Sequence, residues 1–268
     1  MSAVATVQLV AALDLPAGAL VNQRVPKKLL VENGAPTASD KRLINDGIEE
    51  VQWLAALKPN TIGVPEYRDD VREYLEIAIL SVTLKASDDK PVKAARLAEL
   101  LHRAIPYPML LLLNSEKALM LSLAHKRWAQ NEAGKVVLDG NVVEVALSGD
   151  SPSSEIETAF MQALALGRQP QATLYTFYQG WVDTVQTLLA ARLTGTFTAT
   201  TTPEQAIARR VALQDYQRLE AETTRLRSLA GKEKQVARRV AMNLELQRLQ
   251  RELEAASQQL IAPLQIIV

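Results

Sequence analysis

Three groups of residues in this chain are of types and spacings that could do chemistry. The first is His125-Lys126-Arg127, which closes the run LMLSLAHKRW. Only two histidines occur in the whole sequence, and one stands here beside two cations. Imidazole, ammonium and guanidinium groups all donate to oxygens, so the trio is a candidate anion or phosphate contact. His102-Arg103, at the end of a helical pattern, is a candidate neighbour. Side chains alternate along a strand, so Leu119, Leu121, Leu123, His125 and Arg127 share a face while Lys126 points the other way. An apolar strand running out into solvent has the same pattern, and a helix dipole favours cations at its C-terminus in any case. Both readings stand.

The second group is acidic. Asp69, Asp70, Glu73 and Glu76 precede Lys85 across the stretch VPEYRDDVREYLEIAILSVTLK. A PD-(D/E)xK nuclease needs carboxylates on adjacent strands to hold Mg²⁺ and a lysine to polarise the phosphate. Here the residue two before Lys85 is Thr83, which cannot replace a carboxylate ligand. The motif is broken. A divergent Mg²⁺ nuclease using Glu76 or Asp70 with Lys85 stays as an alternative.

The third group is the basic run RLRSLAGKEKQVARR. It holds Arg225, Arg227, Lys232, Lys234, Arg238 and Arg239 against Glu233. A solvated helix-hairpin tip has this composition, and so does a phosphate-backbone contact whose affinity falls steeply with salt. No aromatic residue is interleaved, so base stacking is not implied.

Other chemistries are excluded by composition. There is no cysteine, which removes disulfides, thiolate metal sites and thiol nucleophiles and fits a reducing compartment. Two histidines alone do not make a zinc site, and no metal or cofactor is expected. No G-x-G-x-x-G, Walker or G-x-S-x-G pattern is present. Lys plus Arg and Asp plus Glu are both 30, so any nucleic-acid contact must come from a local patch. The first residues lack the basic region of an export signal, and the longest apolar runs, such as MLLLL, are far shorter than the ~20 residues that span a bilayer. A cytoplasmic protein without membrane insertion is expected.

These residues need elements to position them. SDKRLINDGIEEVQWLAALKPN predicts one helix, capped by Ser39, ended by Pro59 and striped by Leu43, Val51, Leu54 and Leu57. EYLEIAILSVTLK predicts a strand buried on both faces. PVKAARLAELLHRAI predicts a helix from Pro91. YPMLLLLNSEKALMLSLAHKR predicts a hairpin turning at Asn114-Ser115-Glu116-Lys117. KVVLDGNVVEVAL predicts a second hairpin turning at Asp139-Gly140. SSEIETAFMQALALG and LYTFYQGWVDTVQTLLAARL predict helices.

Composition changes at LTGTFTATTTPEQ, where threonines disfavour helix and Pro203 suits the first position of a new one. This predicts a mixed α/β domain over 1–198 and a helical coiled-coil extension over 199–268. Ile207, Val211, Leu219, Leu226 and Leu229 face Leu246, Leu249, Leu253, Ala256 and Leu260, with Gly231 between the halves. Spacings of three and four give the a/d pattern of a coiled coil. It closes as a hairpin within the chain or as a homo-oligomer between chains. The fold class is α+β: a mixed, largely antiparallel sheet with flanking helices, followed by a C-terminal helical hairpin or coiled coil.

Several stretches, taken together and in order, resemble the bacterial family known as domain of unknown function 4391. They include LPAGALVNQRVPKKLLVENGAPTASDKRLINDGIEEVQWLAALKPNTIGVPEY, YLEIAILSVTLK, HRAIPYPMLLLL, LSLAHKRWAQNEAGKVVLDG and KEKQVARRVAMNLELQRLQREL. The family supplies no catalytic residues to carry over. The resemblance implies a setting: genes beside superfamily-2 DNA helicases and DNA methyltransferases, in restriction-like anti-phage loci. With that setting the first expectation is a non-catalytic accessory subunit that binds a helicase or methyltransferase partner, its basic run touching nucleic-acid backbone. A purely structural coiled-coil assembly factor is the other alternative.

Overall fold

The computed structural model describes residues 2–85, 94–116, 118–132, 134–148, 154–200 and 202–261. In chain order the elements are α1 (Ser2–Ala12), β1 (Leu20–Arg24), α2 (Lys27–Gly34), α3 (Ala38–Gly47), β2 (Ile48–Leu57) and α4 (Pro59–Ile62). Then come β3 (Tyr67–Arg68), β4 (Glu73–Tyr74), β5 (Ile77–Leu84), α5 (Ala94–Ala104), β6 (Met109–Asn114), β7 (Ala118–Trp128) and β8 (Val136–Ser148). The helices α6 (Glu155–Ala163), α7 (Leu174–Thr194), α8 (Pro203–Lys232) and α9 (Val236–Ile261) complete the chain. It divides into two compact units, Met1–Val185 and Gln186–Val268.

The first unit is built on a sheet of order β1-β2-β5-β6-β7-β8. Its neighbours are antiparallel except β5 and β6, which run parallel and are joined across the sheet by α5. The mixed, largely antiparallel sheet is therefore present as expected. β5 and β6 lie at its centre, which is why IAILSVTL and MLLLLN are apolar at both odd and even positions. Leu80, Val82, Leu111 and Leu113 on one face pack with Leu30, Ile44, Leu97 and Leu101 from α2, α3 and α5. α1 packs against β6, β7 and α6 and contributes nothing to that cluster, so the sheet is covered on both faces. α5 is described from Ala94, and the expected start at Pro91 lies outside the described residues, as does Lys117 of the β6–β7 turn.

Two expectations are corrected. The long helix predicted from Ser39 to Pro59 is instead α3 followed by β2. α3 is capped by Thr37, whose hydroxyl accepts from the Asp40 N–H, and it ends at Gly47. β2 carries irregularities between Ile48 and Glu50 and between Trp53 and Ala55. Its buried positions are Ile48, Val51 and then Ala55, Ala56 and Leu57, and the first three of these recur at spacings of three and four that imitate a helical stripe. Likewise, Asp139-Gly140 is no hairpin turn. β8 is one strand, with Asp139 opposite His125 and Val143 opposite Leu123, so four steps on β8 face two on β7. Gly140 takes φ +83° in this bulge, a left-handed conformation that a side chain disfavours. Tyr178 compensates the interrupted ladder: its hydroxyl accepts from the Ala124 N–H at 2.8 Å and donates to the Met109 carbonyl at 2.8 Å.

The second unit is a helical hairpin. Thr202 caps α8 by accepting from the Gln205 N–H, and Pro203 opens the helix, as predicted. α8 runs through Gly231, and the break falls at Glu233-Lys234-Gln235, where the Glu233 carboxylate accepts from the Gln235 N–H at 2.8 Å. On α9 the seam follows the predicted register, with Leu249, Ala256 and Leu260 buried and Leu253 packed beside them. On α8 it holds at Leu219, buried with Leu249 and Ala256, and at Leu226, packed beside them, whereas Ala212 and Leu213 are buried with Leu260 and Ile207, Val211 and Leu229 are 51%, 54% and 45% exposed.

Candidate functional site

Four segments of the first unit build the strand-end site. The Trp128 N–H donates to the Val71 carbonyl at 2.8 Å and ties the end of β7 to the turn before β4. This brings Tyr74 under His125, with the phenol and the imidazole Nδ1 2.6 Å apart. Tyr74 is fully buried, and burial pushes its hydroxyl well above the ordinary phenol range. Tyr175 and Tyr178, three apart on α7, pack their rings against both His125 and Tyr74, and Tyr67 stacks on Tyr175. The Arg72 guanidinium lies 5.0 Å from the Tyr175 ring centre, donates to its hydroxyl at 2.8 Å and pairs with Asp139 at 3.2 Å. Arg127 pairs with the same carboxylate at 3.7 Å. The β8 bulge supplies Asp139, so an irregularity in the sheet places the acid that holds both guanidinium groups.

Lys126 turns to the other face, as strand alternation requires. It is only 3% exposed. Its ammonium donates to the carbonyls of His102 and, at 3.0 Å, Ile105, and so caps the end of α5. Burial pushes the ammonium down to about 7. His102 is fully buried beside it, with Nε2 2.9 Å from the Ser122 hydroxyl. Burial and the nearby Lys126 hold the imidazole well below its usual range, so it is neutral. Arg103 stays at the surface and pairs with Glu99 at 2.5 Å. The trio offered as an anion or phosphate contact is thus divided as strand alternation requires. Lys126 is an internal helix cap, His125 is half-buried among tyrosines, and Arg127 alone of the three reaches outward.

The acidic group is dispersed as well. Asp69 accepts from the Tyr67 hydroxyl and from the Val71 and Arg72 N–H groups, which hold its carboxyl below the usual range. Asp70 is exposed beside it. Glu73 pairs with Arg68 at 2.5 Å and Glu76 with Lys58 at 3.0 Å. Lys85 donates to the Asn45 carbonyl at 3.2 Å, at the opposite end of β5 from Glu76. Nine residues of extended chain separate the two by roughly 30 Å, so they do not share a centre. Among the described residues no cluster of three or more His, Asp or Glu is placed to hold a metal ion.

The basic run forms the tip of the hairpin. Arg225, Arg227 and Lys232 stand on the last turns of α8, Lys234 in the break, and Arg238 and Arg239 on the first turn of α9. All six are exposed. Glu233, the acid among them, is engaged in closing the turn. The tip is thus a concentrated positive patch on a chain of zero formal net charge.

A family profile described as domain of unknown function DUF4391 matches residues 13–253. The chain belongs to the DUF4391 family. That match runs from Leu13, buried in the first unit, to Leu253 in the hairpin seam, so both units are DUF4391 architecture. No curated protein and no solved structure matches the chain. Among the described residues no helix is long and apolar enough to cross a membrane.

The tyrosine cluster and the Arg72–Asp139 pair are absent from the sequence reading. Their members come from four segments up to 111 positions apart, Tyr67 to Tyr178, and the only local signal is the Tyr175–Tyr178 spacing on one helix face.

Proposed function

We propose that this DUF4391 protein is an accessory, non-catalytic subunit of a restriction-like anti-phage complex. Its mixed α/β unit docks on a helicase or DNA methyltransferase partner, and its hairpin tip touches nucleic-acid backbone. The observation that carries the second part is the exposed tip, six cations with their one acid already committed to the turn. Such a patch neutralises phosphates without reading bases, which suits a subunit whose partner does the chemistry. The partner class rests on the setting that the family resemblance implies. Co-expression of the tagged chain with a helicase or methyltransferase encoded beside it tests this. A partner that co-purifies and survives nuclease treatment supports direct docking. A partner lost on nuclease treatment moves the contact to the tip, and no co-purification removes the docking half.

A further inference from the structure

At one end of the first unit's sheet, four segments enclose a cleft of about 200 Å³. They are Glu73 and Leu75 from the β4 region, Pro106–Pro108 before β6, Lys126–Trp128 at the end of β7, and Gly134 and Val136 at the start of β8. Most of the wall is apolar: Leu75, Pro106, Pro108 and Val136, with the rings of Tyr107 and Trp128.

The unusual member is Lys126. Lysine is almost never fully buried unless a carboxylate pairs with it. Lys126 is 97% buried by its 3% exposure, and among the described residues its ammonium meets carbonyl oxygens and no carboxylate. An ammonium has three donors, and two are spent on the end of α5. Arg127 is the second cation of the lining. Glu73, the acid of the lining, is held by Arg68 at 2.5 Å. A buried cation in a small apolar-walled cleft lowers its cost by taking an anion from solution.

We propose that this cleft binds a small organic anion. Its carboxylate or phosphate takes the third donor of Lys126 together with the Arg127 guanidinium, and its flat body lies against Tyr107 and Trp128. The cleft is smaller than the ~300 Å³ at the low end of drug-sized pockets, so the ligand is a single ring or a mononucleotide and not a dinucleotide or peptide. The site is in the first unit and owes nothing to the hairpin tip, so its failure leaves the proposed function standing, and the reverse.

Calorimetric titration of the full chain tests it, with AMP and benzoate as anions and adenosine and benzamide as neutral counterparts of the same rings. AMP alone binding marks a phosphate site, benzoate alone a carboxylate site, and both a general oxyanion site. At least one anion is expected to bind at least tenfold tighter than its neutral counterpart, and Lys126→Met and Arg127→Gln are each expected to weaken it at least tenfold. A second readout needs no variant. At pH 8 the buried ammonium, lowered to about 7 by desolvation, is mostly neutral, so an anion seated on it draws in most of one proton. The other titratable groups facing it or the cleft are Glu73, His102, Tyr107 and Arg127. Titrations in two buffers of different ionisation enthalpy measure that uptake, which also decides the matter if Lys126→Met does not fold. No binding by either anion at millimolar concentration, equal binding by the neutral rings, or binding without proton uptake overturns the proposal.

Discussion

Replacing Lys126 with Met should change how the first unit's stability responds to pH. In the folded chain burial pushes the ammonium down to about 7, from an ordinary value of 10.5. Below pH 7 the group is charged in both states, and the fold carries the full desolvation cost. Above 10.5 it is neutral in both, and the cost vanishes. Between the two the unfolded chain binds a proton that the fold rejects, so stability rises with pH. The limiting difference is about 5 kcal/mol at ~1.4 kcal/mol per pH unit, and the part gained between pH 7 and pH 9 is about 2 kcal/mol. Tyr74 and Tyr178, both raised by burial, cost stability only as pH climbs past the free phenol value near 10, and the lowered His102 acts only below about 6.5. Met fills the same channel without a charge. Urea unfolding followed by tryptophan emission is the assay, because Trp53, Trp128 and Trp181 all lie within Met1–Val185. Wild type minus Lys126→Met should shift by about 2 kcal/mol in favour of wild type from pH 7 to pH 9. A difference that does not move with pH would refute the argument and make the ammonium a fully charged cap at both values.

Three further substitutions check the packing. A Cβ on Gly34 would lie 2.6 Å from both the Ala104 Cβ and the Leu100 carbonyl, where α2 crosses α5, so Gly34→Ala should destabilise the first unit by about 1–3 kcal/mol in the same urea assay. Tyr178→Phe removes the hydroxyl that serves the Ala124 N–H at the bulge, and a loss of about 1–3 kcal/mol is expected from the stranded donor. Leu249, 2% exposed in the hairpin seam, should cost about 2–5 kcal/mol of hairpin stability as Leu249→Ala, read by helical circular dichroism against Leu244→Ala, whose side chain is 63% exposed, as the neutral control.

Where pattern and structure agree, the residues act locally. The β6–β7 pair follows from two apolar runs around a polar turn, and α8 begins where Thr202-Pro203 supplies a cap and a residue with no N–H to satisfy. Where they disagree, a bulge intervenes. β2 looks helical because its first three buried residues, beside its irregularities, recur at spacings of three and four, and β8 looks like two strands because its bulge uses the Asp-Gly pair that favours a turn. The inward direction of Lys126 was legible from alternation on β7. Its acceptors were not, because they belong to the end of a helix more than twenty positions earlier. On α8 the stripe holds at Leu219 and Leu226 and fails at Ile207, Val211 and Leu229 for a different reason: Ala212 is buried there, and an apolar stripe drawn through the larger residues overlooks alanine.

The central claim is that the hairpin tip meets phosphates, and the salt dependence of duplex DNA binding tests it most directly. Log Kobs against log salt should fall linearly for the wild-type chain, and Arg238→Glu with Arg239→Glu should flatten that slope by about 2, close to 0.9 for each contact removed. An unchanged slope, with affinity intact, would mean that the tip is a solvated helix end and that nucleic acid, if bound, is held elsewhere.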